Sequence, residues 1–103
     1  MGRPIVHHNG YFFEWSTVVD APTTKAMTRQ EFKDNYRVWY RNMDPVDERL
    51  DRAEKYGTSY HTPTSAFELF GSYNRAGPQE ASLPFEEVLR LVGVPIDENA
   101  AVK

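Results

Sequence analysis

The side chains able to do chemistry are spread along the chain. His7, His8 and His61, with Glu14 and Asp20 as oxygen donors, are the material for a transition-metal site. Their spacing argues against one. Neighbouring His7 and His8 on a strand point to opposite faces, and no His-x3-His pair falls on a helical stretch. Calcium fares no better, because the acids of residues 47–54 follow a helical pattern rather than a loop turned by glycine. A Ser/Thr–His–Asp cluster would have to come from the polar connectors Thr17 to Thr24 and Thr58 to Ser65, which hold Asp20 and His61. Turns and helix caps select the same residue types. There is no Gly-x-Ser-x-Gly, Walker A or Gly-x-Gly-x-x-Gly pattern, so hydrolase elbows and nucleotide cradles have no support. No metal, no cofactor and no catalytic residue are therefore expected, and an enzyme, a small hydrolase at best, ranks last among the readings.

Binding chemistry has more to draw on. Arg29, Lys33, Arg37 and Arg41 recur every four residues, so on a helix each step advances about 40° and the four form one winding stripe with Tyr40 beside it. Such a stripe suits phosphates or an acidic protein. It could equally pair with the acidic segment that follows it. Six Phe, six Tyr and two Trp make fourteen aromatics, against sixteen Ile, Leu and Val. A core so poor in aliphatics must recruit rings, yet Tyr11, Phe12, Trp15, Tyr40, Tyr56 and Tyr60 are more than a domain this small hides with ease. Tyr, Trp and Arg are the types enriched at binding hot spots. Tyr11, Trp15 and Tyr40, with the four cations, are the expected contact residues.

The elements that must position these groups are marked by local signals. Asn9-Gly10 lies between Ile5-Val6-His7-His8 and the aromatic, β-branched run Tyr11 to Val19, which Asp20-Ala21-Pro22 stops. This is a hairpin with a type I′ turn. Alternation places Tyr11, Phe13 and Trp15 on one face and Phe12, Glu14 and Ser16 on the other, with only one face fully buried. Thr28 and Glu31 form a capping box, and Met27 with Phe32 a hydrophobic staple, ahead of a helix whose apolar face is Phe32, Tyr36, Trp39 and Met43. Asp44-Pro45 opens a second helix that ends at Gly57, with Val46, Leu50 and Ala53 as its seam. Ser65 and Glu68 repeat the capping box before Phe67, Phe70 and Tyr73, and Asn74 to Pro78 ends that helix. A last helix runs from Phe85 to Val92 and stops at Gly93, burying Phe85, Val88, Leu89 and Val92.

The expected architecture is α+β: an N-terminal hairpin or small antiparallel sheet on three to four short helices, its core formed by the hairpin's aromatic face and the first helix. The 103 residues suit a single domain over 1–96 with a fraying tail at 97–103. The absence of cysteine excludes disulfides, thiolate metal sites and a cysteine nucleophile. No apolar run approaches the ~20 residues of a membrane span, and the first residues lack a signal peptide's apolar core, so a cytoplasmic location with no membrane partner is expected. The net charge of −3 disfavours a generally basic nucleic-acid binder, but it hides an asymmetry: residues 1–43 carry +2 and residues 44–103 carry −5.

The phrases Glu14 to Pro22, Met27 to Phe32, Lys55 to Ser59 and Asn74 to Pro78 resemble a family of small accessory proteins encoded by bacteriophages of actinobacteria. The resemblance spans most of residues 10–92. It implies a cytoplasmic phage product with no catalytic residues to carry over, and since accessory proteins of this size often act by binding, the expected partner is a host or phage protein. The leading expectation is thus a non-enzymatic interaction protein, with a nucleic-acid-binding module on the same stripe as the alternative. An unpaired hairpin edge would also allow a homodimer.

Overall fold

The computed structural model of the protein describes residues 3–39 and 46–95, and the side chains of 37–39 are set aside. The fold is α+β. Strands β1 (Ile5–His8), β2 (Tyr11–Ser16) and β3 (Ala21–Pro22) form an antiparallel sheet in that order, joined by helices α1 (Arg29–Trp39), α2 (Val46–Tyr56), α3 (Ala66–Phe70) and α4 (Phe85–Val92). Asn9 (φ 52°) and Gly10 (φ 83°) supply the two positive angles of the hairpin turn. The register sets Ile5 opposite Glu14 and His8 opposite Tyr11. β2 stops three residues earlier than its composition suggests. The Ser16 hydroxyl accepts from the backbone N–H of Val18 and Val19, which folds the chain back, and Ala21-Pro22 pair with Ser16 and Trp15 as a return strand.

The helix caps form where the sequence places them. Thr28 N–H donates to the Glu31 carboxylate at 2.8 Å and Glu31 N–H to the Thr28 hydroxyl at 3.2 Å. Ser65 and Glu68 repeat the arrangement at α3. α2 ends on Gly57 (φ 105°) and α4 on Gly93 (φ 95°). The tail expected at 97–103, the Asp44-Pro45 cap, and Tyr40, Arg41 and Met43 lie outside the described residues.

The core differs from expectation. Both faces of β2 are buried, and each faces its own cluster. Phe12 and Ile5 pack with Phe32, Tyr36, Leu50 and Ala53 of α1 and α2. Phe13, Trp15 and Val6 pack with Ala66, Phe70, Val88, Leu89 and Val92 of α3 and α4. The aromatic face therefore meets the C-terminal helices, not α1. Glu14 (3% exposed) and Ser16 (4%) share the buried face of Phe12. Burial is affordable because their polar atoms are satisfied: the Glu14 carboxylate accepts from the Thr23 hydroxyl at 2.8 Å and from Arg3 at 3.4 Å.

The sheet offers no bare hairpin edge. On the β1 side His7 N–H donates to Gly57 O, Ser59 N–H to Ile5 O, and Ile5 N–H to the Ser59 hydroxyl. On the β2 side Phe12 and Met27 exchange backbone hydrogen bonds and Thr23 N–H donates to Glu14 O. The chain's own residues thus fill the hairpin edges that, if unpaired, would have allowed strand pairing between two copies.

Candidate functional site

The described half of the basic stripe, Arg29 and Lys33, pairs with the protein's own acids. Arg29 spans from α1 to three carboxylates of α2, reaching Glu54 at 2.6 Å, Asp51 at 2.7 Å and Asp47 at 3.4 Å. Lys33 meets Asp47 at 3.1 Å. The hydrogen bond that Arg29 donates to Asp51 heads the contacts that hold its guanidinium still more firmly protonated, and the one that Lys33 donates to Asp47 keeps the Asp47 carboxyl below its usual range. These two cations brace α1 on α2. Arg37's side chain, Tyr40 and Arg41 lie outside the described set.

Trp15, expected at a partner contact, is 1% exposed and stacked on Phe70 with ring centroids 4.5 Å apart. Its alternation with Phe13 aims it into the core that α3 and α4 close. Asp20 and His61 have separate surroundings. The Asp20 carboxylate lies 3.6 Å from Arg75 Nε and its carbonyl accepts from Arg75 N–H, while His61 sits exposed in the loop after α2. A groove of about 250 Å³ is lined by Pro22, Thr23, Thr24, Lys25, Leu91 and Val92, not by that pair. Its Thr hydroxyls already serve Glu14. His7 and His8 do face opposite ways, His7 against Phe12 at 4.9 Å and His8 edge-on to Phe85 at 5.8 Å. Burial lowers the pKa of both, with Glu54 partly offsetting this at His7. Among the described residues no three His, Asp or Glu side chains are placed to hold a metal ion.

What does converge is a set of rings. Trp15, Phe70 and Phe85 stack in succession, and Phe85 passes the contact on to Phe67 at 5.5 Å and to His8. His8 is the cross-strand partner of Tyr11 on the same sheet face. The outer members, Tyr11, His8 and Phe85, are half-buried, and Phe67 is 55% exposed. Phe67 nonetheless packs on one side. Its ring lies over Gly71, where a Cβ would collide with it, and against Phe85. Ser65 and Glu68 clamp the start of the helix that carries it. The result is a corner of four rings between the hairpin tip, α3 and α4. Tyr11 belongs to it as an expected contact residue; Phe67 was expected only as a member of the third helix and Phe85 as part of the last helix's apolar face. Helical spacing cannot tell an inward ring from one held at the rim.

A second group escaped sequence reading altogether. Asn74 is fully buried, and its amide donates to Phe70 O and Leu83 O while its carbonyl accepts from Ala76 N–H and Leu83 N–H. It ties the loop before α4 to the end of α3. Arg75 then binds that loop to the β2–β3 turn through Val18 O and Asp20 O. The turn presents Val18 and Val19, 76% and 51% exposed.

No known protein family, curated relative or solved structure matches the chain.

Proposed function

We propose that the protein is a non-enzymatic interaction module that takes a protein partner on the corner formed by Tyr11, His8, Phe85 and Phe67. The observation that carries this reading is the exposure of Phe67, at 55%, in a ring that lies over Gly71 and against Phe85. A large exposed ring already packed on one side has less conformational freedom to lose on contact, which suits a binding anchor. Arg29 and Lys33 count against the stripe as the contact, since docking a phosphate or an acidic protein there would compete with Asp47, Asp51 and Glu54. The resemblance to phage accessory proteins supports a host protein as the partner.

Affinity capture from an actinobacterial lysate tests this, comparing the natural chain with Phe67→Ala and with Arg29→Gln plus Lys33→Gln, each with and without nuclease. The expected result is capture that survives nuclease, falls about tenfold in Phe67→Ala and persists in the double variant. Nuclease-sensitive capture lost in the double variant would instead establish the nucleic-acid alternative.

A further inference from the structure

We infer that the segment received by the aromatic corner is an arginine- or lysine-bearing stretch of the partner. This rests on the corner being the binding surface and adds the chemistry of what it binds. Ring faces carry negative quadrupolar potential and attract cations, guanidinium above all, within about 6 Å of the centroid. The corner offers such rings on neighbouring elements, with Phe67 the most open.

The charges around the rings point the same way. Exposed Glu68 follows Phe67, and exposed Glu86 and Glu87 follow Phe85. Glu87 is neutralised by Arg90, and the Glu68 carboxylate also accepts from Ser65 N–H. The partial positive charge at the start of α4, about half a unit, offsets only part of what remains. Residues 56–95 contain no lysine, and Glu68, Glu80, Glu86 and Glu87 outnumber Arg75 and Arg90. Within that stretch both described arginines thus already have acidic partners, Arg75 in Asp20 and Glu80 and Arg90 in Glu87. His8, whose pKa burial lowers, is neutral at pH 7. An acidic segment would meet repulsion from Glu68 and Glu86, and an apolar one would leave them without a counter-charge.

Titration of the labelled full chain, followed by amide shifts, with three Gly/Ser peptides of equal length tests the inference. One peptide carries three Arg, one three Gln and one three Glu. The Arg peptide should shift residues of the corner, bind several-fold more tightly than the Gln peptide, and weaken about threefold in both Phe67→Ala and Glu86→Gln. The Glu peptide should not bind. Equal binding of the Arg and Gln peptides, or no effect of Glu86→Gln, overturns the basic-segment inference while leaving Phe67-dependent capture of a partner intact. Arg-peptide binding mapped away from Phe67 and insensitive to Phe67→Ala overturns it too, and loss of Phe67-dependent capture defeats the underlying reading separately.

Discussion

Asn74 shows how much one side chain can hold. Its amide uses both donors and both acceptor positions, all on backbone groups, and its own N–H donates to Ser82. Replacing it by Asp keeps the shape and removes the two donors, so the carbonyls of Phe70 and Leu83 would face a carboxylate. Asn74→Asp should therefore cost about 3 kcal/mol in urea denaturation, close to two buried groups left unsatisfied. A loss below ~1 kcal/mol would mean that the loop rearranges around the acid. In the sequence Asn74 is legible only as a helix terminator followed by Arg-Ala-Gly-Pro. Its partners at 70, 76 and 83 are set by how the loop closes, and no spacing rule announces that. Glu14 and Ser16 illustrate the same limit: a polar residue on an alternating strand reads as outward, and only Thr23, Arg3 and the turn at Val18 make its burial tolerable.

Helix starts, helix stops and the hairpin turn were legible because each is decided within four residues. Two of the stops make a contrast that spacing alone does not show. Gly57 and Gly93 both hold left-handed φ, but a Cβ on Gly57 would stand 2.8 Å from Ala66 N, whereas one on Gly93 would meet nothing within 4 Å. Gly93→Ala should cost only the left-handed penalty of about 1 kcal/mol. Gly57→Ala should cost clearly more, because α2's end must part from the start of α3 and the bonds of residues 57–59 to β1 are disturbed. Thermal or urea unfolding of the pair checks the order, and equal losses would show that this contact is soft. The α1–α2 brace is a product of both levels. Four-residue spacing aligns Arg29 with Lys33, and packing brings α2's carboxylates to them.

For the molecule as a whole the hairpin is the shared wall of two clusters, Phe12 serving one and Phe13 with Trp15 the other. Its two histidines divide in the same way, His7 beside Phe12 with Glu54 nearby and His8 beside Phe85. Both have a folded pKa below the 6.5 of the free side chain. Below that value the unfolded chain binds more protons than the native one, so stability is full above about pH 6.5 and is lost as pH falls through the folded values. The urea midpoint should accordingly drop between pH 7 and pH 5, and His7→Gln plus His8→Gln should flatten that slope. An unchanged slope in the double variant would assign the pH dependence to the carboxylates.

By itself the sequence determined the α+β class, the hairpin turn at Asn9-Gly10, the capping boxes at Thr28 and Ser65, the ends at Gly57 and Gly93 and the amphipathic faces of the helices. These signals act over a turn or a strand pair, where backbone sterics and side-chain hydrogen bonds leave little choice. Only the tertiary structure decided that β2 is buried on both faces, that Trp15 is core and Phe67 is rim, that Arg29 and Lys33 are claimed by α2, and that the hairpin edges are filled by residues 21–27 and 57–59. Each of these depends on which distant element arrives at a surface, and an apolar or charged face specifies the chemistry of its neighbour without specifying its place in the chain.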